Sequence, residues 1–429
     1  MSTSVANTEI LERKLNPLQK KVVALCAAIV FVEGVNAQAA GYIAPALMRD
    51  WSLSPSVLTS FLLSGLVGLM LGGLGVAPLA DKAGRRPILL ACVALFGISS
   101  IGGAVSASIV MLNIFRFLTG LGVGGAMANA ISLTAEYSPE RRRSSMIAVM
   151  LIGFMGGSVA IGFISAWVVP VWGWKSVLAL GGSLSIALLP LLFVALPESV
   201  RFLGLKNGER PASRISVLAL FRDGRARTTV LLWTIYFMSL LNLYLITSWL
   251  TTHITALGIA VSVAILIGTM FQVGGVFGSI FGWMMDRLGP RRTICTAYLI
   301  AAVAIGCIGL AESNLVLLGI STLAAGFGTI GGQSAANALA ATSYPTQVRS
   351  TGVGWATGIG RVGSIVGPGV AGIFIDMGVS TQQIFYLAVI PAICASLAGA
   401  ALGSMSGCEC KPDRAQPSIE RTDAFQRGQ

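Results

Sequence analysis

Charge is scarce in this chain. Asp, Glu, Lys and Arg make up 11% of its 429 residues, against about 25% in soluble domains, which excludes an ordinary water-soluble globule. Histidine is scarcer still. His253 is the single one, so a histidine-rich metal site is excluded. No GxxxxGK[ST] loop occurs, so nothing marks the chain as driven by ATP. The GLGVGG stretch at 120–125 has the glycines of a dinucleotide loop, but no strand precedes it and it lies inside an apolar run. Close helix packing is the expectation there. Of the seven Cys, five lie in apolar stretches and act as small hydrophobes. Cys408 and Cys410 form a CEC near the C-terminus, with no further ligands beside them, so no metal is expected. No catalytic cluster accompanies the carboxylates, so neither an enzyme nor a cofactor is expected.

What the chain has instead is apolar length. It is 55% hydrophobic with 52 glycines, the composition of helices packed closely in lipid. A span needs about 20 apolar residues, and twelve candidates can be placed between residues 20 and 405, the first near 20–43. The N-terminus does not read as a cleavable signal, because its charged region runs to Lys21 and the apolar stretch after it is long and interrupted. The longest polar connection, 197–227, divides the spans six and six. The expected organisation is a segment 1–19, a six-helix bundle 20–196, a linker 197–227, a second bundle 228–405 and a tail 406–429. This is an all-α membrane protein.

Basic residues set the orientation. Of the 29 Lys and Arg, all but Arg49, Arg116, Lys175 and Arg361 fall at the termini or in alternate loops on one side. Both termini are therefore expected in the cytoplasm. The same bias accounts for the net charge of +12 without nucleic acid. The halves also resemble each other. LADKAGRRP (79–87) recurs as MMDRLGPRR (284–292), and EYSPERRRSS (136–145) as SYPTQVRSTG (343–352). Equivalent loops lie on the same side, so the repeat is parallel, as in two-bundle transporters with a cavity between the halves.

These stretches carry a resemblance. GVAPLADKAGRRP (75–87) resembles the signature loop of the major facilitator superfamily, with Gly75, Asp81, Gly84, Arg85 and Arg86 in the motif positions. PESVRFL (197–203) resembles its signature after the sixth span, with Val200 where sugar porters usually have a second Pro. Within that superfamily the chain is similar to the aromatic acid:proton symporters. EGVNAQAAGYIAPAL (33–47), RFLTGLGVGGAMANA (116–130), MFQVGGVFGSIFGWMMDR (270–287) and the run from Gly331 to Gly372 each resemble the matching family segment. One departure stands out: Asn36 occupies the place of the second acid in the first-span motif. The resemblance implies a bacterial inner-membrane carrier, expected to be a monomer, that imports a hydroxybenzoate or phenylpropionate type of aromatic carboxylate with protons. A facilitator or exporter of another organic solute is the alternative, and a non-transporting aromatic-acid sensor a more distant one.

Several polar residues in the spans are candidates for the work. Glu33 lies about thirteen residues into its span, roughly 20 Å from the start; a charge at that depth is costly and points to a task. Proton coupling is expected of it. Arg361 is equally deep, and its planar fork suits a carboxylate. Arg116 is nearer the outer end of its span and is a second anion contact or an interfacial residue. Asn36, one turn after Glu33, is expected either to hydrogen-bond substrate or to join helices. Gln333 and Asn337 share a helix face and have the same two options. Tyr244 and Trp249 are candidates for packing on an aromatic ring, though a place in the interfacial belt is the stronger expectation for Trp249. Trp172 and Trp174 are expected in the interfacial belt. Asp81, Arg85, Arg86, Glu136 and Arg143, with Asp286 and Arg349 in the second half, are expected to gate the conformational change.

Overall fold

In the computed structural model the described residues are 16–200, 202–203, 217–222, 224–345 and 348–403. Cys408, Cys410, the tail and most of the linker lie outside them. Twelve helices among the described residues are long and apolar enough to cross a membrane. They are α1 (Pro17–Asp50), α2 (Pro55–Ala83), α3 (Arg85–Ala104), α4 (Ile109–Tyr137), α5 (Arg143–Trp172), α6 (Trp174–Ala195), α7 (Ala226–Ala256), α8 (Val261–Gly282), α9 (Pro290–Leu310), α10 (Leu315–Ser343), α11 (Thr351–Asp376) and α12 (Thr381–Leu402). Several outrun the hydrocarbon. The 34 residues of α1 span about 51 Å at 1.5 Å each, against a core of about 30 Å. Its ends carry Lys20, Lys21, Arg49 and Asp50, which suit the headgroup region.

Local chemistry sets the helix starts. Asn16 and Gln19 form a reciprocal capping box at α1, and Ser380 and Gln383 do the same at α12. Such caps satisfy backbone N–H groups that have no partner within the helix. Gly84 and Gly289 take positive φ values of 96° and 78° at the turns that lead into α3 and α9. A side chain at either would be strained.

The repeat seen in the loops extends to the packing. The pairs α1–α5, α2–α4, α3–α4 and α3–α6 of the first half recur as α7–α11, α8–α10, α9–α10 and α9–α12. Even individual approaches recur, 206 positions on. A methyl added at Gly157 would lie 1.9 Å from the Phe31 carbonyl oxygen, and one at Gly363 2.3 Å from that of Phe237. Gly68 and Gly274 press on the carbonyls of Phe117 and Leu323 in the same way. The GLGVGG stretch is a packing face as expected, with Gly120 and Gly124 against the carbonyls of Gly65 and Leu69. Absence of a side chain is what lets these backbones meet.

The halves meet along three seams, α1–α7, α2–α11 and α5–α8. Their tight points lie toward the far face, away from the basic loops. Gly41 abuts the Thr247 carbonyl, Gly162 the Thr269 side chain, and Gly372 the Thr59 side chain. Asp376 Oδ1 accepts from the Ser56 backbone N–H at 3.1 Å. The molecule is sealed on its far face.

Candidate functional site

A cavity of about 150 Å³ lies between the halves, on the basic side of those seals. An apolar cavity of that size accepts a benzene ring. Its wall is largely apolar, and the exceptions come from five helices: Asn36 and Gln38 (α1), Arg116 and Thr119 (α4), Tyr244, Thr247 and Ser248 (α7), Gln272 (α8) and Arg361 (α11). The central stretches of α1, α4, α7, α8 and α11 bring these side chains to the interface between the halves.

Arg361 is half-buried in this wall. Its Nη1 donates to the Tyr244 hydroxyl at 3.1 Å. No carboxylate among the described residues sits within ion-pair distance of Arg361, unlike Arg85, which pairs with Asp81 and Glu136. Arg116 is held differently. Its Nη1 and Nη2 donate to the α1 carbonyls of Asn36 (2.8 Å) and Ala37 (3.0 Å), and its guanidinium lies 6.0 Å from the centre of the Phe61 ring. Arg116 thus braces α1 and keeps a fixed positive charge at the cavity.

Glu33 is 0% exposed, and neither carboxyl oxygen has a hydrogen-bond partner among the described residues. It stands behind the cavity wall rather than in it, and its electrostatic neighbours include Arg361. A carboxylate stripped of water with no donor is very unfavourable.

Asn36 is 1% exposed. Its side-chain nitrogen is directed away from the cavity, with acceptors at the Val32 carbonyl (2.9 Å), the Ser185 hydroxyl (3.1 Å) and the Gly181 carbonyl (3.3 Å). It joins α1 to α6. Gln333 and Asn337 bond to each other at 3.1 Å, beyond Ile330 toward the basic face and outside the cavity wall. Trp249 is buried in the second half and donates to the Pro368 carbonyl. Trp172 is 62% exposed, as a belt residue is. Trp174 corrects the expectation: it is 3% exposed and donates to Asp50 Oδ2 at 3.0 Å, because α6 starts against the end of α1.

The loop residues assemble within the first half. Arg85 lies 3.0 Å from Glu136 and 3.7 Å from Asp81. Glu198, which sequence reasoning did not single out, accepts from the backbone N–H groups of Arg85 (2.8 Å), Arg86 (3.1 Å) and Ser199 (2.8 Å). It caps α3, while the Ser199 hydroxyl donates to Glu136 Oε2 at 2.6 Å. Arg86 donates to the Phe193 carbonyl. Arg143 is exposed at the start of α5. In the second half Arg349 Nε donates to the Tyr344 carbonyl at 3.3 Å. Asp286 lies in the helix that prolongs α8, and its side chain is outside the described ones. Gln272 was also missed; a single amide in an apolar run carries no motif.

Comparison with known proteins identifies the family. The Major Facilitator Superfamily model matches residues 26–281 and 232–418. The chain belongs to the major facilitator superfamily. It is therefore a membrane transporter and not an enzyme. Among its relatives, it is 40% identical to the 4-hydroxybenzoate transporter PcaK of Pseudomonas aeruginosa, over 90% of this chain and 92% of that one. It is also 40% identical to a gallate transporter of Pseudomonas putida, with the same coverage. The 3-(3-hydroxy-phenyl)propionate transporter of Escherichia coli is 34% identical over 84% of this chain and 88% of its own. Among solved structures, a bacterial homolog of the human lysosomal transporter Spinster superposes with a TM-score of 0.75 at 17% identity, covering 91% of this chain and 98% of that one. The xylose transporter XylE from E. coli gives 0.74 at 15% identity, covering 89% and 97%. These two share the fold.

Proposed function

We propose that this superfamily member is a monomeric carrier of the bacterial inner membrane, its basic face in the cytoplasm, that imports an aromatic carboxylate with protons by alternating access. One observation carries the substrate class. Arg361 presents a guanidinium, partnered by the Tyr244 phenol and by no acid within ion-pair distance among the described residues, in a ring-sized apolar cavity. A fork of N–H donors suits a carboxylate, and the apolar wall suits the ring. The relatives named as carriers of 4-hydroxybenzoate, gallate and hydroxyphenylpropionate support the same class.

Glu33 is the proton carrier in this mechanism. It takes a proton while the cavity faces outward, and the anion binds at Arg361. Proton and anion then cross together, so the net charge moved through the low-dielectric interior is reduced. The far-face seal corresponds to the inward-facing side of the cycle, from which both leave to the cytoplasm. The Asp81–Arg85–Glu136 network with Arg86 and Arg143, and Asp286 and Arg349 opposite, bias which side is open.

Uptake of labelled 4-hydroxybenzoate into proteoliposomes tests this. Accumulation is expected with an inward proton gradient and not without it, and Arg361→Ala abolishes it. Equal uptake with and without the gradient removes the symport claim.

A further inference from the structure

Gln272 faces the cavity and has no task in the mechanism above. It is 4% exposed, and its amide makes no hydrogen bond among the described residues. Its location is informative. Arg361 enters from α11, which forms a seam with α2, whereas Gln272 enters from α8, which forms a seam with α5. The two seams flank the cavity on opposite sides, because α1 and α7 meet between them. The wall joining the two polar residues is apolar, with Leu62, Leu66, Val123, Leu243 and Ile330. Gln38 and Ser248 also face the cavity, but each lies within a turn of the Gly41–Thr247 seal and belongs to its floor.

We infer that Gln272 reads a hydroxyl on the substrate ring, on the side away from the carboxylate, and so selects hydroxylated aromatic acids over unsubstituted ones. The inference rests on the proposed carriage of aromatic carboxylates. With the carboxylate at Arg361 and the ring between the apolar walls, the opposite ring edge meets the amide. The amide oxygen accepts from the phenolic O–H, and the amide N–H donates to the phenolic oxygen. A ring without that hydroxyl displaces the water from the amide and replaces it with carbon. An amide left so is penalised far more than a hydrogen bond gained is rewarded.

The test is competition against labelled 4-hydroxybenzoate in proteoliposomes of the full-length protein. For the wild type, 4-hydroxybenzoate is expected to compete at least about tenfold better than benzoate. Gln272→Met, apolar and similar in shape, should bring that ratio close to one. A Gln272→Met carrier that binds both acids with the wild-type ratio overturns the inference. A second measurement needs no variant. In 2-hydroxybenzoate the hydroxyl lies beside the carboxylate, at the Arg361 end, so it should compete no better than benzoate. Equal competition by the 2- and 4-hydroxy acids overturns the inference, as does a wild type that does not distinguish benzoate from 4-hydroxybenzoate. A wild type that binds none of these acids overturns the carriage proposal instead.

Discussion

Asp376 holds Ser56 across the boundary between the two halves. Its carboxylate accepts the Ser56 N–H in the first turn of α2, where the N-cap residue Ser54 makes no side-chain cap bond of its own. One half thus caps a helix of the other. Asp376→Ala should weaken the far-face seal by the worth of a cap, about 0.5–2 kcal/mol, or roughly twofold to thirtyfold in the open-to-closed ratio. Spin-label distances between the far ends of α2 and α11 report it, in protein freed of native cysteines. An unchanged distance distribution would mean that the bond does not hold the seal.

Asn36→Asp tests the departure from the family's first-span motif. The structure turns that side chain toward α6 as a donor to two carbonyls and a hydroxyl. A carboxylate there faces acceptors and loses donors, which costs about 1–3 kcal/mol. The expected outcome is a lower melting temperature in detergent at neutral pH, with no stronger proton coupling. Greater gradient-driven accumulation by a variant of unchanged stability would contradict this account of Asn36.

Glu33→Gln fixes the side chain in a neutral form of nearly the same shape. The variant is expected to exchange substrate across the membrane by counterflow, while gradient-driven accumulation falls to the background. Counterflow and uptake measured on the same vesicles separate the two. Accumulation that survives in Glu33→Gln would place the proton elsewhere.

Gly157→Ala and Gly363→Ala each drive a methyl into a carbonyl oxygen of the neighbouring helix. Each should lower stability by about 1–3 kcal/mol, the usual effect of overpacking. Gly319→Ala on α10 meets nothing within 4 Å and should cost nothing. Thermal unfolding of the three variants in one detergent makes the comparison. A loss at Gly319 equal to that at Gly157 would point to backbone freedom rather than close approach.

These residues also show what was legible in the chain beforehand. The twelve spans and the repeated loops follow from apolar length and loop motifs. These are local properties. Arg361, a deep cation in a span, was a candidate from the sequence, and it lines the cavity. The direction of Asn36 was not legible. Helical spacing places it near the face of Glu33 but does not say that α6 lies there. Trp174 looked interfacial because its burial depends on the end of α1, over a hundred residues away. Glu198 and Asp376 act by capping helices remote in sequence, and Gln272 gains meaning only once Arg361 stands opposite.

Arg116 and Arg361 have a consequence for the empty carrier. One is tied to the backbone of α1 in the first half, and the other rides on α11 in the second. Any motion that narrows the cavity brings two like charges together. Their repulsion grows as they approach in a medium of low dielectric constant. An anion between them reverses its sign. On the proposed carriage of aromatic carboxylates, this repulsion opposes closure without substrate, and a bound carboxylate becomes the ligature that lets the halves close.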